Sequence, residues 1–130
     1  MSFLSTGCAA AAALCGLLSL PAIAGDIDPI GQWQVTTGES RYRVVHCGKG
    51  GNELCAKLTW LREDAKTEEN LALLNKTIVR GAPADENKWT GTVIYDGQTY
   101  DATVTIISSN SMKVHGCSGM FCKSFELSRL

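Results

Sequence analysis

From Gly31 onward, apolar and polar residues alternate at period two. Trp33 and Val35 alternate with Gln32, Gln34 and Thr36; Tyr42, Val44 and His46 with Arg41 and Arg43; Leu54, Ala56, Leu58 and Trp60 with Lys57 and Thr59. Each run predicts a strand with one apolar face, because successive side chains on an extended chain point to opposite sides. The pattern continues through Trp89, Gly91, Val93 and Tyr95, and then through Tyr100, Ala102, Val104 and Ile106 opposite Asp101, Thr103 and Thr105. Two further strands are expected over Met112 to Gly116 and from Phe121 or Cys122 to Arg129, and a fourth strand over Thr77 to Gly81 that ends in a Pro83-Ala84-Asp85 turn. Asp96-Gly97 predicts a tight hairpin, since both central positions of such a turn need positive φ, and Ser109-Asn110 marks another turn. Between Arg62 and Lys76 the alternation stops. There the run Glu68 to Leu74 predicts one or two helical turns capped by Thr67, with Glu68 and Glu69 favourable at the helix start.

About eight short strands with close connections place the chain in the all-β class. An antiparallel up-and-down barrel with a short helical segment in one loop fits best, because closure removes exposed edges. The aromatic residues Trp33, Tyr42, Trp60, Trp89, Tyr95 and Tyr100 all fall on the apolar phase of their strands. That phase faces inward in a barrel of this size, whose interior is either filled by side chains or holds one small ligand. These six residues are therefore the candidate lining of a ligand cavity.

The N-terminus carries a different signal. Ala9 to Leu20 is an apolar run too short to span a bilayer, and Pro21 and Ala22-Ile23-Ala24-Gly25 follow it as a small-x-small cleavage pattern. Residues 1–24 are expected to be a cleaved secretory signal that takes Cys8 and Cys15 with it. Residues 25–130 are then a single domain, with no membrane span after cleavage. The 12 basic and 13 acidic residues give a net charge of −1, with no basic block to draw nucleic acid or anionic lipid.

Four cysteines remain, in two short-range pairs: Cys47 with Cys55 across a Gly-rich turn, and Cys117 with Cys122 across Ser118-Gly119-Met120-Phe121. Opposed hairpin positions lie within disulfide range, and a bacterial periplasmic or secreted protein meets an oxidising environment. The neighbouring His46 and His115 raise a zinc alternative. Neither pair has the Cys-x-x-Cys spacing, however, and adjacent strand residues point to opposite faces, so both histidines read as ordinary strand residues and no metal is expected. Nor is a catalytic set visible: there is no Gly-x-Ser-x-Gly, phosphate-cradling loop or His-Glu-x-x-His, and the paired carboxylates lie in loops.

Asp28-Pro29-x-Gly31-x-Trp33, Cys47-Gly48, Leu54-Cys55, Trp60-Leu61, Lys88-Trp89-x-Gly91-x-Val93-Ile94-Tyr95, Gly97-x-x-Tyr100, Lys113-Val114-x-Gly116-Cys117, Phe121-Cys122 and Ser128-Arg129 together resemble the DUF2147 family of small secreted bacterial proteins. The resemblance implies a lipocalin-like barrel and carries no established activity. The chain departs from the family's pattern at Leu127, where a Trp is usual, and in the Glu68 to Leu74 segment. The expected function is non-enzymatic and cofactor-free: binding of a small apolar or amphipathic ligand in the barrel. The alternative is a protein-interaction module of envelope-stress, host-interaction or inhibitor type, binding an envelope or host protein through disulfide-rigidified loops.

Overall fold

The computed structural model describes residues 27–130, so the expected signal segment lies outside the described residues. Eight strands form one closed antiparallel barrel in chain order. They are β1 (Gly31–Val35), β2 (Ser40–Cys47), β3 (Glu53–Leu61), β4 (Thr77–Asp85), β5 (Lys88–Tyr95), β6 (Gln98–Ser108), β7 (Ser111–Ser118) and β8 (Phe121–Arg129). The barrel closes where β1 meets β8, with Trp33 opposite Arg129 and Val35 opposite Leu127. A 3-10 turn (Glu63–Ala65) and one short helix, α1 (Glu68–Leu73), occupy the long β3–β4 connection. Thr67 caps α1 as its position predicts, with its Oγ1 accepting from the Asn70 N–H at 3.2 Å.

Turn chemistry sets the hairpins. Asp96 and Gly97 both take positive φ, 51° and 76°, the conformation that lets a two-residue turn follow the twist of its strands. The expected turn at Pro83 to Asp85 is corrected: β4 runs on to Asp85, and Asn87 makes the bend at φ 55°. Pro83 is tolerated in the strand because β4 pairs with β3 only as far as Gly81. Beyond that point it pairs with β5 alone, as an edge strand does.

Both expected disulfides are present, Cys47–Cys55 and Cys117–Cys122. Only the second joins directly opposed residues. In the first hairpin Cys47 faces Glu53 while Cys55 faces Val45, so that bridge runs diagonally across the ladder, with 5.9 Å between Cα atoms. Chain entropy assigns about 2–2.5 kcal/mol to each of these short loops.

Two irregularities decide which side chains enter the core. On β3, Tyr42 pairs with Leu58 and Arg41 with Trp60, which leaves Thr59 as an extra residue. Its Oγ1 donates to the Arg41 carbonyl at 3.2 Å. The bulge reverses the inward phase, so Leu61 is buried and Trp60 is turned outward, where the Arg41 guanidinium stacks 4.3 Å from its ring centre. On β4, Ile78 has no partner between the Ala56–Val79 and Lys57–Thr77 pairs, and both Ile78 and Val79 are buried. The core is otherwise the inward face of all eight strands.

Candidate functional site

The up-and-down order places the start of β1 and the end of β8 at one end of the barrel. The β1–β2, β3–β4, β5–β6 and β7–β8 connections gather at the other. The first end is shut. Trp33 is fully buried there, 0% exposed, and its indole Nε1 donates to the Pro29 carbonyl at 2.9 Å. The Arg129 guanidinium lies over the Trp33 ring at 4.4 Å and donates to three carbonyls: Ser109 at 2.6 Å, Ile30 at 2.9 Å and Asp28 at 2.7 Å. One cation thereby ties the segment before β1, the β6–β7 turn and the last strand into a floor. Asn87 joins the same end, its side-chain oxygen accepting from the Ile27 N–H at 2.7 Å.

Above the floor the barrel holds a cavity of about 190 Å³. Val44, Leu54, Ala56, Leu58, Met112 and Leu127 are among the apolar side chains that line its depth. Toward the opposite end polar groups join the lining, Glu39, Ser40, Tyr42, Asn70, Tyr95 and Asp96, beside apolar ones such as Leu61, Ile94 and Phe125. Leu73 from α1 and Ala65 from the 3-10 turn complete that rim, so the β3–β4 connection forms part of the mouth. Arg62 steadies it: its backbone N–H donates to the Glu39 carbonyl, Nη1 donates to the Thr37 carbonyl, and a two-pronged pair with Asp64 holds that carboxyl below its ordinary range.

The six candidate aromatic residues therefore separate. Tyr42 and Tyr95 line the cavity near its mouth. Trp33, Trp89 and Tyr100 are buried in the core outside the lining, Trp33 as the floor. Trp60 faces solvent, for the reason given by the Thr59 bulge. Alternation alone missed the aliphatic and acidic members of the site. Ser40 was readable, since it shares the phase of Tyr42 and Val44, whereas Glu39 and Asp96 enter only through the way their turns fold over the opening.

Ser40 Oγ donates to the Tyr42 hydroxyl oxygen at 3.0 Å. Burial pushes the Tyr42 hydroxyl above its ordinary value, outweighing the Ser40 hydrogen bond that favours the phenolate. In the unfolded chain tyrosine ionises near about pH 10. Because the folded phenol holds its proton to higher pH, the resulting stability is fully present below pH ~10 and is lost as pH rises through the folded value. Alkaline unfolding followed by circular dichroism should be less steep in pH for Tyr42→Phe than for the parent.

The DUF2147 family model, described as an uncharacterized protein conserved in bacteria, matches residues 31–129. No curated protein matches the chain. Among solved structures, a redesigned beta barrel is similar, at 14% identity over 78% of this chain and 90% of that one, with a TM-score of 0.47.

Proposed function

The chain belongs to the DUF2147 family of bacterial proteins, and from that premise we propose that it is a non-enzymatic binding protein that holds a small apolar or amphipathic ligand in its barrel. One observation carries the reading: in a barrel shut at one end by Trp33 and Arg129, a cavity that is apolar in its depth and gains polar groups toward its mouth. That gradient suits a ligand with an apolar body and a polar end. Its size sets the scale. At about 190 Å³ it is slightly larger than an engineered cavity of about 150 Å³ that binds benzene, and below the ~300–1,000 Å³ of drug-sized sites. The occupant is thus a single small molecule or one short alkyl chain. Two disulfides in so small a domain fit an extracytoplasmic protein, and the periplasm or the extracellular space is the proposed location.

Calorimetric titration with a homologous series of primary alcohols tests this. Affinity is expected to rise about fourfold per methylene, from ~0.8 kcal/mol each, until the cavity is full, and then to level off. Absence of binding across the series, or a rise that never levels, contradicts an enclosed site.

A second reading rests on the β7–β8 tip, where Met120 is 99% and Phe121 79% exposed beside the Cys117–Cys122 bridge. Two apolar side chains on a rigidified turn suit a protein partner, with little ordering cost on binding. Replacing both with serine should abolish capture of such a partner and leave alcohol binding unchanged.

A further inference from the structure

The outer wall beside the mouth carries a second chemical feature. His115 and Cys117 are two residues apart on β7 and so share its outward face. Cys117 lies opposite Cys122 on β8 and Asp101 on β6, while His115 lies opposite Ser124 and Thr103. The donor atoms of His115, Cys117 and Cys122 fall within 4.8 Å of one another. Imidazole Nε2 is 3.3 Å from Cys117 Sγ, and the other ring nitrogen, Nδ1, is 2.6 Å from Ser124 Oγ. That second contact matters: a partner on one ring nitrogen orients the ring and directs the other nitrogen's lone pair toward a ligand. Asp101, Thr103, His115 and Cys117 also share one surface depression. His115 and Cys122 are exposed, so reductant and ion both have access. Cys47 and Cys55 gain no third donor of this kind among the described residues.

We propose that reduction of the Cys117–Cys122 bond opens a zinc site on this wall, with Cys117, Cys122 and His115 as ligands and solvent in the fourth position. A dithiol reductant gives two hydrogens to the cysteine sulfurs and leaves as its own disulfide. Zinc then binds both sulfurs as thiolates, releasing two protons, with neutral imidazole as the third donor. Two thiolates and an imidazole form a donor set that suits zinc over magnesium or calcium. In the oxidised protein the sulfurs are bonded to each other and the site is closed.

Cobalt(II) serves as the spectroscopic probe, added to the full-length chain before and after dithiothreitol reduction and anaerobic desalting. The expected result is one cobalt per reduced chain, with thiolate-to-cobalt charge-transfer absorption that zinc abolishes and that is missing before reduction. His115→Ala should weaken binding at least tenfold, and Ser124→Ala by about tenfold through loss of ring orientation. Cys117→Ser with Cys122→Ser should remove the signal while Cys8, Cys15, Cys47 and Cys55 remain. His115 is exposed, so its variant stays informative if the double cysteine variant fails to fold. No cobalt signal after reduction, an undiminished signal in the double serine variant, or unchanged affinity in His115→Ala overturns the proposal.

Discussion

A Trp33→Ala chain is expected to lose about 3–5 kcal/mol of unfolding free energy, the largest effect of any single substitution considered. Trp33 is the most fully buried large side chain in the core, and removing its indole leaves both a void and an unpaired Pro29 carbonyl at the shut end. Arg129→Ala should cost roughly 2–3 kcal/mol, because three carbonyls lose charged donors at once and the ring loses its stacked cation. Arg129→Lys should recover only part of this loss, since an ammonium lacks the planar fork that reaches three carbonyls in different directions. The two residues touch, so the double variant should lose less than the two single losses added together. Urea unfolding of the four chains checks each value. Losses of less than about 1 kcal/mol for both single variants would show that Trp33 and Arg129 do not hold that end of the barrel shut.

Ala56→Leu is expected to weaken alcohol binding by more than tenfold while the barrel remains folded. Ala56 lines the depth of the cavity, so its enlarged side chain takes space that a ligand requires. Filling an existing void also limits the overpacking penalty to about 1–3 kcal/mol or less. Parallel calorimetry and thermal unfolding separate the two effects. Undiminished affinity in a folded Ala56→Leu chain places the ligand somewhere other than the barrel interior.

The strands, most of the hairpin turns and the cap on α1 were legible in the sequence because each rests on local rules: period-two alternation, Asp96-Gly97 geometry, a threonine before two glutamates. Both cysteine pairs were legible for a similar reason, since their partners lie on adjoining strands. Trp60 shows where that reading fails. Trp60 and Leu61 are both apolar, and a single extra residue at Thr59 decides which of them enters the core. A bulge leaves no mark in hydrophobic alternation, because it is fixed by pairing with Arg41 and Tyr42 on the next strand.

The site was legible only in part. Alternation places a residue inside or outside the barrel and says nothing of its height along the axis. Trp33 and Tyr42 lie opposite each other on β1 and β2, yet the indole reaches back to the Pro29 carbonyl in the floor while the phenol reaches Ser40 at the mouth. Arg129 shows the same limit: nothing beside it in the sequence indicates that its partners are Asp28, Ile30 and Ser109, brought together only when β8 closes on β1. His115 reads in sequence as an ordinary strand residue. In the fold, cross-strand register sets it between Ser124 and the Cys117 sulfur.

If the barrel holds a small molecule, the protein should carry it out of the cell envelope. Native mass spectrometry of the protein, purified from bacterial envelopes without denaturant, should then show a chain carrying one small adduct, released on denaturation and missing from the Ala56→Leu variant prepared in the same way. A bare chain, together with no uptake of any alcohol in the homologous series, would contradict binding in the barrel.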